Sequence, residues 1–182
     1  NNSEIWADHS IAACSDIRDL DLVEYADEQT DLLWAGIPCT GASIAGVAKN
    51  NLEFAEEHSE VGSLFVDYLE AVKVFNPAIT LLENVTGYQK SASMAVIRSK
   101  LESYGYHLFE EVLDGNDFGV LEGRSRMVLV AISRGLATDF GFDNLRPSAV
   151  KPETLGDILD DVPLDSPAWK TYDYLVEKEL RD

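Results

Sequence analysis

The feature that most constrains this chain is a series of short apolar runs alternating with amphipathic stretches, several of the runs ending in polar, chemically capable residues. Residues 31–37, Asp-Leu-Leu-Trp-Ala-Gly-Ile, read as a buried strand that meets a flexible loop at Pro38-Cys39-Thr40-Gly41-Ala42-Ser43. Residues 79–82, Ile-Thr-Leu-Leu, form a second such run and end in Glu83-Asn84-Val85-Thr86-Gly87. Between them, Leu64, Tyr68, Val72 and Phe75 recur at helical spacing and predict a helix over 61–75. Met94, Ile97 and Leu101 predict another over 91–104, and strands follow at 107–113 and 127–133, with an earlier one at 11–14. This alternation is an α/β pattern, in which ligands bind at the carboxyl edge of the parallel strands.

The residues at those edges set out the chemistry. Cys39 follows a proline that fixes its direction, and nearby glycines leave room for a substrate, which suits a nucleophile; a free cysteine can equally be a packed core residue. Glu83 stands at the carboxyl end of its run, where a ligand would bind, although a strand-end glutamate is commonly just solvated. Arg124 and Arg126, spaced by two ahead of Met127, point to one face and put guanidinium groups at a strand end, where an exposed ion pair on an acidic surface is the simplest reading. Asp16, after the first run, sits where an aspartate commonly caps a turn or helix.

Four blocks in order, Ser15-Asp16-Ile17-Arg18, Ala35-Gly36-Ile37-Pro38-Cys39 with Ser43, Asn76-Pro77 to Glu83-Asn84-Val85-x-Gly87, and Asn116-Asp117-Phe118-Gly119-Val120 to Arg124-x-Arg126, give the chain a family likeness. It resembles the cytosine-C5 DNA methyltransferases over roughly residues 15–132. The resemblance implies a Rossmann-like, S-adenosylmethionine-dependent methyltransferase core, here truncated at both ends. It implies Cys39 as the nucleophile that adds to C6 of a flipped cytosine, making C5 nucleophilic toward the methyl of S-adenosyl-L-methionine. It further implies Glu83 on the N3 and exocyclic-amine edge, and Arg126 with Arg124 on the carbonyl O2 and adjacent phosphate. Asp16 and Ile17, with Pro38, would hold the cofactor, its adenine by a carboxylate and by packing. Ser43 would bond a DNA phosphate, and Asn84 would sit at the substrate or, as asparagine commonly does, hold the turn.

The departures from the family pattern are specific. Thr40 stands where the family has Gln, and Leu121-Glu122 stand where it has Pro-Gln, so Glu122 can pair with Arg124 and weaken its hold on a base. No Phe-x-Gly-x-Gly loop precedes Asp16, and with a start at Asn1 the first two strands of the fold are expected to be missing, and the main glycine-loop part of the cofactor site with them. Residues 1–150 are therefore expected to be a catalytic-core fragment. Residues 151–182, with Thr154 and Asp157 at capping-box spacing, are expected to lead into an absent target-recognition domain. In the resembled fold the strand carrying Cys39 pairs with a missing strand, so its edge should be covered by the 11–14 strand or by a second copy in an edge-to-edge homodimer.

Composition bears on the partners. A formal charge of -19 opposes a grip on phosphates and points to the DNA-gripping part lying elsewhere, double-stranded DNA being a partner of the full-length protein. The acidic residues crowd 24–31, 53–60 and 157–165, which read as solvated faces. Two cysteines make no disulfide framework, which suits a reducing cytoplasmic setting, and no apolar run approaches a membrane span. His9, His58 and His107 have no zinc spacing, so no metal is expected. Three readings remain: a DNA cytosine-5 methyltransferase core, inactive or nearly so by itself; an RNA cytosine-5 methyltransferase of the same fold; and a non-catalytic partner module.

Overall fold

The structure is a computed structural model that describes residue 10 and residues 12–26, 29–38, 63–146, 154–157, 161–163, 165–167 and 169–170. Cys39, Thr40 and Ser43 lie outside the described residues. Four strands form one sheet: β1 (Leu32–Gly36), β2 (Ile79–Asn84), β3 (Tyr106–Asp114) and β4 (Ser125–Ser133), in the spatial order β1-β2-β4-β3. Two helices, α1 (Leu64–Phe75) and α2 (Ala92–Ser103), connect β1 to β2 and β2 to β3.

The sheet is mixed. β1 and β2 run parallel, joined through α1, whereas β4 is inserted antiparallel between β2 and β3. That insertion brings the first residues of β4 beside the last residues of β2, with Asn84 opposite Met127 and Glu83 opposite Val128. The strand ends that carry the carboxyl and guanidinium groups of the sequence are therefore neighbours for a topological reason.

Alternation along the strands divides the sheet into two faces. Thr80, Leu82 and Asn84 of β2, with Met127, Leu129 and Ala131 of β4, face the helices and are buried. There they meet Tyr68, Leu69 and Val72 of α1 and Met94, Ile97 and Leu101 of α2, the stripes expected from helical spacing. Glu83 and Arg126 take the intervening positions and lie on the other face. On that face, Phe109 of β3 packs edge-on against Phe140, and Phe140 against Phe142, at centroid separations of 5.2 and 5.3 Å.

Local chemistry sets the element ends. α1 stops at Asn76, which adopts the left-handed region (φ 42°) and is followed by Pro77, a residue that cannot continue a helix. The buried Tyr106 hydroxyl then donates to the Pro77 carbonyl at 2.6 Å, tying this corner to β3. α2 starts at Ser91, whose hydroxyl accepts from the Met94 N–H at 3.1 Å.

Three expectations are corrected. Residues 12–14 are exposed and in no strand; Ala-Ala-Cys offers little apolar area to bury, and Asp16 turns the chain at once into a 3-10 turn (Ile17–Asp19). That segment consequently does not cover β1, whose only strand partner among the described residues is β2. Trp34 of β1 is 72% exposed, so this run alternates as an edge strand and is not buried on both sides. Finally, β4 begins at Ser125, leaving Arg124 in the preceding loop, so the two arginines do not share a strand face.

Candidate functional site

The site is built on the carboxyl ends of β1 and β2 and the start of β4. Glu83 and Arg126 meet there, with Arg126 Nε 2.8 Å from Glu83 Oε1. Both are partly exposed, so the pair adds little to stability and keeps its groups accessible to a ligand. A carboxylate and a guanidinium side by side offer acceptors next to donors. Such a pair complements a ligand edge that carries both a donor and an acceptor.

A braced turn holds Arg126 at this point. Asp114, the last residue of β3, accepts from the Asn116 N–H at 3.0 Å and from the Ser125 hydroxyl at 2.5 Å, closing the two ends of the connection. These hydrogen bonds, the Ser125 one foremost, hold the Asp114 carboxyl below the usual carboxylate range. Within the connection, Gly119 takes the left-handed region (φ 87°), and at Gly115 a Cβ would stand 3.0 Å from the Glu122 carbonyl oxygen. The motif Asn116-Asp117-Phe118-Gly119-Val120 is thus a compact turn whose product is the placement of β4. Arg124 is exposed and its carbonyl accepts from the Gly115 N–H at 3.2 Å. The expected Glu122–Arg124 ion pair is not among the ion pairs of the described residues.

Asn84 is 2% exposed and faces away from Glu83. Its amide nitrogen donates to the Ile37 carbonyl at 3.1 Å, and its side-chain oxygen accepts from the Val85 N–H at 2.8 Å. The turn after β2 continues into a 3-10 segment (Thr86–Lys90) that Arg98 of α2 secures. Arg98 donates to the Gln89 carbonyl at 2.7 Å while paired with Glu110 of β3.

A cavity of about 630 Å³ lies along β1, bounded by Asp16, Ile17 and Arg18, by residues 33–38, and by Leu64, Tyr68 and Ala71 of α1. Its walls are largely apolar with a carboxylate at the mouth. That combination suits a planar heterocycle bearing an amino group, and the volume falls in the range of cofactor sites. Asp16 caps its own turn by accepting from the Arg18 N–H at 3.0 Å and is also paired with the Arg18 guanidinium. The Arg18 side-chain hydrogen bonds hold its carboxyl well below the usual range. Tyr68 closes the inner wall, its hydroxyl 3.0 Å from Thr80 Oγ1, and burial pushes its pKa up to about 12. Trp34 and Arg18 as cavity walls were not singled out from the sequence. The signals were an aromatic residue inside an apolar run and a basic residue two positions after Asp16.

A profile of the family described as C-5 cytosine-specific DNA methylase matches residues 5–181. The chain belongs to the C-5 cytosine-specific DNA methylase family. It is 35% identical over 154 residues to the type II methyltransferase M.NlaX of Neisseria lactamica, covering 82% of this chain and 45% of that protein. It is 35% identical over 148 residues to M.HaeII of Haemophilus aegyptius, covering 80% and 42%. The matched part of the chain therefore covers less than half the length of each of these relatives. Its fold is similar to that of S. pombe Dnmt2 (TM-score 0.55, 24% identity, 71% of this chain and 38% of that one). It is likewise similar to a triple mutant of Spodoptera frugiperda DNMT2 (TM-score 0.59, 18% identity, 82% and 45%). Among the described residues no helix is long and apolar enough to cross a membrane.

Proposed function

We propose that this chain is part of the catalytic core of a DNA cytosine-5 methyltransferase. The observation that carries the reading is the Glu83–Arg126 pair, held on adjacent strand ends within a chain of this family. In this reading the Cys39 thiolate adds to C6 of a cytosine taken out of the duplex, forming an S–C6 bond and pushing electron density to C5. A proton shared between Glu83 and N3 neutralises the charge that builds in the ring, and Arg126 donates to O2. After methylation at C5, loss of the C5 proton expels the thiolate and restores the ring. A free thiol near pKa 8.5 is only a few per cent thiolate at neutral pH, so this route calls for nearby positive charge to raise that fraction.

S-adenosylmethionine would supply the electrophilic methyl group. The cavity beside β1 fits its adenosyl part, with Asp16 accepting from the adenine amino group and Ile17, Trp34 and Pro38 packing on the ring. Ser43 would contact phosphate. Residues 1–150 would then be core and residues 151–182 the approach to a target-recognition region. In support of the latter, Thr154 donates its N–H to Asp157 at 2.8 Å, half of a capping box. With a charge of -19 on this chain, the phosphate grip would come from the remainder of the full-length protein, and the 182-residue chain by itself would be inactive or nearly so.

The test is transfer of labelled methyl from the cofactor by the full-length protein, with duplex DNA and RNA as parallel substrates. Transfer to DNA, abolished by Cys39→Ser and reduced about 100-fold or more by Glu83→Gln, is the expected result. Unchanged turnover in Cys39→Ser would exclude the covalent route.

A further inference from the structure

We infer that Asn84 is a positioning residue that locks the base of the Pro38-Cys39 segment to the strand end carrying Glu83. The inference rests on the catalytic reading above and goes beyond it. β1 ends at Gly36, so the Ile37 carbonyl lies beyond the strand, two residues before the proposed nucleophile Cys39. Ile37 is buried, so this oxygen needs a donor from within the protein. The Asn84 amide provides it across 47 residues of sequence, at 3.1 Å. The other end of the same carboxamide accepts from the Val85 N–H at 2.8 Å, which fixes the side chain's rotation and so the direction in which it donates.

The consequence is geometric. Glu83 and Asn84 are consecutive on β2, one facing each side of the sheet, so whatever holds Asn84 to Ile37 also fixes the Ile37 backbone relative to the Glu83 carboxyl and its partner Arg126. Arg98 secures the far side of the same turn through the Gln89 carbonyl. The β2 end is thus anchored from both directions, and the hydrogen bond from Asn84 is the described side-chain link between the two strand ends. An attack on C6 with the ring held by Glu83 and Arg126 depends on that separation, because about 1 Å of misplacement costs as much as a hundredfold in rate.

Two replacements separate positioning from folding. Asn84→Ser removes the donor and shortens the side chain. Asn84→Asp keeps the acceptor for Val85 but turns an anionic oxygen toward the Ile37 carbonyl; burial raises that carboxyl's pKa, and its protonated form can donate again. The full-length protein is mixed with S-adenosylmethionine and duplex DNA carrying 5-fluorocytosine; once the methyl has been transferred to C5, the fluorine cannot leave as the C5 proton does, so the thiolate is not expelled and the adduct is trapped. Both the final trapped fraction and the rate of trapping are read.

Positioning predicts a trapped fraction equal to wild type at a rate about 10- to 100-fold lower in both variants, with Asn84→Asp, but not Asn84→Ser, recovering relative to wild type as pH falls. A reduced trapped fraction at an unchanged rate, or loss of fold in both variants, makes Asn84 a stability residue and overturns the assignment. Unchanged fraction and rate also overturn it. Absence of trapping in the wild type is a separate outcome that removes the covalent reading itself, and this assignment with it.

Discussion

Tyr68 and Thr80 form a buried hydroxyl pair between α1 and β2, on the wall of the cavity beside β1, with their oxygens 3.0 Å apart. Thr80 is 0% exposed and its hydroxyl has no other hydrogen-bond partner among the described residues, so Tyr68→Phe strands it in the core. Leaving a buried hydroxyl unsatisfied costs about 1–3 kcal/mol. Thr80→Val strands the Tyr68 hydroxyl in the same way and at about the same cost. The double variant Tyr68→Phe/Thr80→Val removes both groups while nearly conserving shape, and is expected within about 1 kcal/mol of wild type. The cycle therefore predicts a coupling of at least about 1 kcal/mol, the two single costs together exceeding that of the double variant, measured by urea unfolding of the four proteins followed by circular dichroism.

The same pair carries a pH signature. Burial raises the Tyr68 pKa from 10.0 to about 12, so its folded-state value exceeds its unfolded one. The stability this represents is complete below pH 10 and is lost as pH rises toward 12, amounting to at most about 3 kcal/mol. The stability difference between wild type and Tyr68→Phe should accordingly narrow over that interval. Additive single costs in the double variant, or a wild-type to Tyr68→Phe difference that stays constant from pH 9 to 12, would refute the reasoning.

Ser125→Ala removes the main hydrogen bond to Asp114, so the Asp114 carboxyl should titrate closer to 3.8, seen by NMR; in the wild type its stabilising share is present above that value and lost as pH falls through the lower folded value. Gly115→Ala puts a Cβ about 3.0 Å from the Glu122 carbonyl oxygen, and the shift this forces on the braced turn should destabilise by about 1–3 kcal/mol in thermal unfolding. Arg18→Gln frees the Asp16 carboxylate from its ion pair, so the Asp16 pKa should rise and cofactor affinity should change in isothermal titration, whereas an unchanged affinity would place the adenine elsewhere. Trp34→Lys charges the exposed edge of β1; if the isolated chain pairs edge to edge, light scattering should show the variant as monomer where the wild type is dimer.

Much of the architecture was legible because it rests on local patterns. The stripes of α1 and α2 state their buried faces directly, since one helical face meets one sheet. Ser91 and Asn76-Pro77 mark helix ends through their own backbone chemistry. The apolar run at 79–82 was readable as a strand, with Glu83 and Asn84 extending it by one turn of the alternation. The expected strand at 11–14 is not formed over residues 12–14 because Ala-Ala-Cys has neither the β-branched or aromatic side chains that favour a strand nor the apolar area to hold it against a sheet. The run at 31–37 was read as buried because hydropathy alone cannot tell an interior strand from an edge strand whose Trp34 faces outward.

By itself, the order of residues determined the kinds of chemistry available: a thiol after a proline, a carboxyl and an amide in succession, guanidinium groups before an apolar run, and helical stripes to bury. Each follows from neighbours within a few positions, and so survives without a fold. The tertiary structure alone decided which of these meet. The antiparallel insertion of β4 chose Arg126 over Arg124 as the partner of Glu83, and set Asn84 against the Ile37 carbonyl. Residues 43 or 47 positions apart are brought within hydrogen-bonding distance by strand order and register, which are properties of the packed sheet and of no single segment.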